Sequence, residues 1–251
     1  MESKIIDTLD GEILAEGLSK GACKLMKAFL LARGYENILI IEKMETTKTI
    51  ETKIGISFGN KKLPKRTAIF NLPAVKTCPN KTAFCAVNCY ALKAERLYKA
   101  VYPARKRNLK ASLSADFTDQ MIGKLSSVAH KFDTVRIHEA GDFYNQEYFD
   151  KWVIIALAFP HKTFYAYTKS FHLDFSAKPE NMVLIASFDE STNTASKINY
   201  ELRRKYFANT FTIIRKEEAN QYLAWQICGQ DCTKCDVCFS RTGLDLKVVK
   251  H

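Results

Sequence analysis

Apolar and polar positions change rhythm several times along the chain, and each change marks an element. Near the N-terminus Ile13, Leu14, Leu18, Cys23, Met26, Phe29 and Leu30 recur at mostly helical spacing, which predicts a helix over residues 13–33 stopped by Gly34. Two strand-like runs follow, at 37–42 (NILIIE) and 49–58 (TIETKIGISF), the second alternating polar and apolar as a half-buried edge does. GNKKLPK after them reads as a loop. From residue 66 onward, short apolar runs alternate with helical ones: strands at 67–70, 134–138, 163–167, 182–187 and 211–214, helices near 89–101, 114–131, 146–158 and 192–207. Pro103 is expected to end the first of these helices, because its ring removes a backbone donor and crowds the preceding turn. The alternation predicts an α/β fold with a parallel sheet, either open or closed into a barrel. No internal repeat, low-complexity tract or linker divides the chain, so a single domain over 1–251 is expected: an N-terminal helix/strand extension (1–60), an α/β core (61–220) and a cysteine-rich C-terminal segment (221–251).

Several predicted strands turn polar at their C-terminal ends, in RIHEAGDFY (136–144), FYAYTKS (164–170), LIASFDE (184–190) and TIIRKEE (212–218). Functional loops of parallel sheets gather at that edge. His138, Glu139, Asp142, Tyr167, Lys169, Ser187, Asp189 and Arg215 are therefore candidates for one common rim. Each has a plainer alternative. His138 can be a satisfied core histidine, Asp142 after Gly141 a turn-forming carboxylate, and Lys169 a solvent-facing lysine. Phe164, Tyr165 and Tyr167 fit sheet positions with a polar tip better than a stacking platform for nucleic acid.

Charge adds a second signal. The net charge is +11, and cations concentrate at Lys61, Lys62, Lys65 and Arg66 and again from Lys93 to Lys110. Such runs are either solvated faces or the footprint of an anionic partner, whether a nucleic acid, a nucleotide or a phosphorylated metabolite. No stretch of about eighteen apolar residues suggests a membrane span, and MESKIIDTLDGE does not resemble a secretory signal, so a cytosolic protein is expected. In a reducing compartment, thiolate ligation is favoured over structural disulfides.

That matters because seven of the eight cysteines fall into two compact groups. Cys228, Cys232, Cys235 and Cys238 lie within eleven residues, without the long excursion that separates the two knuckles of a structural zinc site. The spacing resembles closely set iron-sulfur ligands, with zinc, disulfides or inert thiols as the alternatives. Cys78, Cys85 and Cys89 are spaced x6 and x3, which would leave one iron of a four-iron cluster without a cysteine and open to substrate, unless Cys23 or a histidine completes it. Cys23, on an apolar stretch, reads better as a small buried hydrophobe. The first group follows a predicted strand and opens a helix, whose N-terminus suits an anionic cluster.

NLPAVKTCP, CAVNCYA, HEAGDFY and FYAYTKS, in this order and with a cysteine-rich C-terminus, resemble the phage-encoded gene product 88 family over about residues 58–238. The resemblance implies a viral protein working in the host cytoplasm; it implies no particular reaction. More remotely, a strand, a three-cysteine loop with an aromatic after the last cysteine and a strand ending in an acidic glycine motif are similar to radical S-adenosylmethionine enzymes. That likeness implies a partial or full parallel (β/α) barrel of the TIM-like kind, a [4Fe-4S] cluster on Cys78, Cys85 and Cys89, and an auxiliary [4Fe-4S] cluster on the C-terminal cysteines. It also implies S-adenosylmethionine at the open iron, with Ala140, Gly141 and Asp142 in place of that family's GGE segment and Ser187 and Asp189 as further cofactor contacts. The x6 and x3 spacing departs from that family's x3 and x2. The functional expectation is an iron-sulfur enzyme of redox or radical type acting on an anionic small molecule or nucleic acid, served by an external electron donor. Its catalytic candidates are His138, Glu139, Asp142, Tyr167 and Lys169. The alternative is a non-enzymatic, metal-stabilised protein that binds nucleic acid or a host factor.

Overall fold

The computed structural model describes residues 2–7, 13–18, 26–27, 38–43, 54–240 and 242–249. A small antiparallel sheet is formed by β1 (Glu2–Asp7), β2 (Ile13–Leu18) and β3 (Ile38–Lys43), with β1 in the centre. Ile13–Leu18 is thus extended, and the helix expected over 13–33 does not begin there. A short apolar run fits either period, and pairing with β1 decides for strand. Cys23, with most of that predicted helix, lies outside the described residues, as do 49–53 of the second predicted strand.

The main sheet has seven strands lying side by side in chain order: β4 (Ser57–Phe58), β5 (Thr67–Phe70), β6 (Thr134–Ile137), β7 (Thr163–Thr168), β8 (Met182–Phe188), β9 (Phe207–Ile214) and β10 (Asp245–Val249). β4 runs antiparallel to β5 and every other neighbouring pair is parallel. Helices α1 (Ala83–Val87), α2 (Tyr90–Leu97), α3 (Val101–Ser112) and α4 (Phe117–Ser127) connect β5 to β6. Helix α5 (Gln146–Leu157) connects β6 to β7, and α6 (Thr194–Arg203) connects β8 to β9. Pro103 does not end a helix. It is the third residue of α3, in a first turn whose N–H groups have no helical acceptor to lose.

A closed barrel is not formed among the described residues, because β4 and β10 are free edges of one open sheet. Closure takes eight parallel strands with matched tilt and shear, whereas here one of seven is a two-residue antiparallel strand.

Strand alternation gives the sheet two different faces. Ala68, Phe70, Val135, Ile137, Phe164, Ala166, Met182 and Leu184 enter the main core with Phe117, Met121, Phe149 and Trp152 from α4 and α5. Trp152 is fully buried with its ring edge-on to Phe70 at 5.3 Å; each side chain of this kind contributes roughly 2–3 kcal/mol of burial. The opposite parity registers Ile69 with Arg136, Arg136 with Tyr165 and Tyr165 with Val183, and this second face packs Tyr165, Val183 and Ile185 against Phe239 of the cysteine-rich segment. One face thus carries α4 and α5, and the other carries the cysteine-rich segment. No helix among the described residues is long and apolar enough to cross a membrane.

Candidate metal centres on the second face of the sheet

The first cysteine group hangs from the C-terminal end of β5. Asn71 Oδ1 accepts from the backbone N–H of Glu139 (2.7 Å) and Ala140 (2.9 Å), and Leu72 N donates to Ala140 O (2.9 Å), so the loop leaving β5 is stitched to the loop leaving β6. Gly141 is required at this seam. Its φ is +95°, and a Cβ there would stand 2.7 Å from both Leu72 Cβ and Thr77 Oγ1. Thr82 caps α1 by accepting from Cys85 N (2.9 Å), and its hydroxyl donates to Asp189 Oδ2 (2.8 Å). Asp189 is buried and paired with buried Lys169 (Nζ–Oδ2 3.0 Å), whose Nζ also donates to Ser187 O (3.0 Å). A continuous chain of bonds therefore runs from the ends of β7 and β8 to the loop holding Cys85.

Burial pushes the Cys78 thiol up to about 12, reinforced by the charges of Asp142, Cys85 and Cys89. Cys85 is likewise raised by burial, with Lys169 opposing, and it too feels Cys89, Asp189 and Asp142. The three thiols, Asp142, Lys169 and Asp189 thus share one electrostatic neighbourhood. Asp142 is itself a brace: Oδ1 accepts from Phe143 N (2.7 Å) and Oδ2 from Lys169 N (2.9 Å), while burial outweighs these bonds and lifts the carboxyl to about 6.

The remaining rim candidates divide. Ser187 lies beside Lys169, its Oγ 3.3 Å from Nζ. Glu139 reaches away to Asn60 (2.7 Å). Arg215 forms an exposed pair with Glu190 (2.6 Å). His138 turns into the helix-side core, where Nε2 meets Tyr148 Oη at 2.8 Å and Phe143 lies edge-on at 5.1 Å; burial, aided by the charge of Arg136, lowers it to about 3. The plainer reading of His138 as a core residue is the one its surroundings match. Tyr167 faces the second cysteine group.

That group lies on the connection from β9 to β10. Cys228 N donates to Lys247 O of β10 (2.8 Å) and Cys232 N to Lys62 O (2.9 Å). Buried Asn209 in β9 clamps the turn around Cys238: its Nδ2 donates to Val237 O (2.9 Å) and Ser240 O (2.8 Å), and its Oδ1 accepts from Thr242 Oγ1 (2.6 Å) and Leu244 N (3.1 Å). Burial raises Cys238 to about 11 against the bond from the Tyr167 hydroxyl, with Cys232 and Cys228 adding to the rise. Cys232 is also raised by burial and by Cys228, and Arg136 opposes. Arg136 stands over the Tyr167 ring at 3.9 Å and the Tyr165 ring at 5.1 Å, and its Nε donates to His138 O (3.0 Å). Sequence reasoning missed both Arg136 and Asn209. The available signal was a charged residue between two apolar ones in TVRI and an asparagine at a second-face position in FANTFTII.

All seven of these cysteines are free thiols. Thiols as buried as Cys78 and Cys238 stay protonated near neutrality and are poor nucleophiles, whereas a bound metal would displace the proton. Among the described residues no three or more His, Cys, Asp or Glu side chains stand close enough to grip a single metal ion. Thiolates around a four-iron cube stand wider apart than around one zinc, because each binds a different corner. Among the described residues, the three non-glycine ones with positive φ, Val75, His138 and Gln230, all sit beside these loops, the kind of strain that collects at functional sites. Ala140 N and both Asp142 oxygens are engaged in internal bonds, and the likeness to radical enzymes finds no support.

Next to the first group, Lys93, Arg96, Lys99, Lys106, Arg107 and Lys110 are exposed along α2 and α3, interleaved with exposed Leu97 and Tyr98. Arg105 alone turns inward, to Glu95 (2.9 Å) and Ala91 O (2.9 Å).

The profile of a family described as Gene product 88 matches residues 41–247. The Gene 88 protein of Mycobacterium phage L5 is 31% identical over 189 residues, covering 64% of this chain and 77% of its own. That of Mycobacterium phage D29 is 29% identical over 198 residues, covering 65% and 78%. No solved structure matches the chain.

Proposed function

This chain belongs to the gene product 88 family of phage proteins, and we propose that it is an iron-sulfur redox enzyme acting on an anionic substrate in the host cytoplasm. The observation that supports the reading is the gathering of seven free thiols, most of them at least partly buried, in two loops anchored to one sheet. Cys78, Cys85 and Cys89 would hold one [4Fe-4S] cluster and Cys228, Cys232, Cys235 and Cys238 a second. When bound, the first would supply an iron without a cysteine ligand, able to take a substrate oxygen or nitrogen, and the second would relay electrons from an external donor.

The chain's own residues provide the seat. Lys169, Asp189 and Thr82 fix the loop of Cys85, Asp142 and Gly141 fix that of Cys78, and the cations of α2 and α3 draw an anion toward the same end of the sheet. In this reading the open sheet is a partial barrel, and the cysteine-rich segment covers the face that missing strands would otherwise enclose.

Protein prepared anaerobically should contain about seven to eight iron atoms with matching sulfide and absorb broadly in the visible. Stoichiometric zinc without labile sulfide would overturn the proposal. A second reading, a metal-stabilised protein that binds nucleic acid without catalysis, is favoured by the exposed cations of α2 and α3 and the exposed Tyr98 ring. It requires an affinity for single strands that falls with salt by a slope of about 0.7 per phosphate contact.

A further inference from the structure

Arg136 is a cation in an unusual place. It sits mid-strand in β6, between buried Val135 and Ile137, on the face covered by the cysteine-rich segment. Its guanidinium lies against the faces of Tyr167 and Tyr165, and its Nε is fixed by the carbonyl of His138. Among the described residues it has no carboxylate in an ion pair, unlike the other inward cations Arg105 and Lys169. A half-buried charge without an anion is costly, and stacking on two rings offsets only about 2 kcal/mol of that cost.

The groups that face it from the elements packed above are Cys232 and Cys238, whose charges it influences, and the hydroxyls of Tyr167 and Tyr165. Tyr90, directly after Cys89, faces it from α2. Among the described residues, Glu139 shares the Tyr90 neighbourhood but is turned to Asn60. The groups of the covering segment that would place negative charge by Arg136 are the cysteines, once they are thiolates.

We propose that Arg136, held on the Tyr165 and Tyr167 rings, is the built-in counter-charge of a metal-thiolate cluster on Cys228, Cys232, Cys235 and Cys238, and thereby sets its reduction potential. The proposal rests on the iron-sulfur reading above. Arg136 acts as a positioning residue: it touches neither substrate nor ligand sulfur bonds, but its charge favours the more reduced, more negative cluster. Tyr167, under the guanidinium and bonded to Cys238, keeps charge and thiolate in register.

The test compares full-length wild type with Arg136→Gln, which keeps planar hydrogen bonding without charge, and Arg136→Lys, which keeps the charge. The readouts are iron per chain and the midpoint potential of each cluster, followed by electron paramagnetic resonance during a redox titration. The glutamine variant should move one cluster to a more negative potential and leave the other in place, and the lysine variant should match wild type. Unchanged potentials in a fully loaded glutamine variant, or equal shifts in both variants, would overturn the proposal. If the glutamine variant does not fold, the lysine variant decides alone: full iron with an unmoved potential supports the inference, and lost iron or a shifted potential rejects it. A wild-type chain that takes up no iron and sulfide would instead reject the underlying reading, and the inference with it.

Discussion

Replacing Asp189 by asparagine tests whether the ion pair behind the first cysteine loop holds that loop. Asp189 and Lys169 are both buried, with the carboxylate side chain fully so and Nζ–Oδ2 at 3.0 Å. At an effective dielectric of about 20, two charges at that distance attract by roughly 5 kcal/mol. Lys169 keeps its bond to Ser187 O, which reduces the loss; breaking such a pair from one side costs about 3–5 kcal/mol. Asparagine can still accept the Thr82 hydroxyl, which spares the cap on α1, but its amide NH2 then stands where Asp189 Oδ1 accepts from Ser191 N (3.0 Å), so the loss reports the charge together with that bond. Thermal unfolding followed by circular dichroism should then show a midpoint lowered by roughly 6–20 °C. Asp133→Asn, which breaks the exposed pair with Arg66, should leave the midpoint almost in place. Adding Lys169→Met to Asp189→Asn should recover part of the loss, because the stranded charge is then gone. A drop below about 1 kcal/mol in the single variant, or no recovery in the double, would refute this account.

Three further outcomes follow from particular contacts. His138 is held near 3 by burial against an unfolded value of about 6.5, so its contribution is complete above pH 6.5 and is lost as pH falls through 3, at about 1.4 kcal/mol per unit. His138→Asn, which tolerates the positive φ, should flatten that part of the pH dependence of urea midpoints, and an unchanged slope would exclude His138 as its source. Gly141→Ala should cost about 2–3 kcal/mol in urea unfolding and lower iron uptake at the first group, because the added Cβ collides with Leu72 and Thr77; wild-type stability would show that the seam yields. Asn209→Ala removes four bonds to the Cys238 turn and should cost at least about 2 kcal/mol, with new protease cleavage between residues 215 and 244, whereas a resistant chain would mean that β10 alone anchors the segment.

Much of the core was legible because its signals are local. The strands β5 to β8 fall within a residue of where the apolar runs put them, since four to seven apolar residues bounded by polar ones have few other uses in an α/β chain. β9 begins four residues earlier than expected and takes over the end of the predicted helix at 192–207, because FANT reads weakly for either state and only the edge of β8 decides. β10 was not foreseen at all; its pairing with β9 crosses the whole cysteine-rich segment.

By itself the sequence determined the alternation of strands and helices, the grouping of cysteines and the polar strand ends that include Asp142, Lys169 and Asp189, all of which are matters of spacing within a few residues. The motifs in order also determined the family. Only the tertiary structure decided that the sheet stays open, that Ile13–Leu18 is a strand, that His138 points into the aromatic core and that Tyr167 faces Cys238. It alone set Arg136 beneath those cysteines and Asn209 across their turn. A period of two or of 3.6 fixes which residues share a face, but which face meets which neighbour depends on strand pairing and packing between segments far apart in the chain.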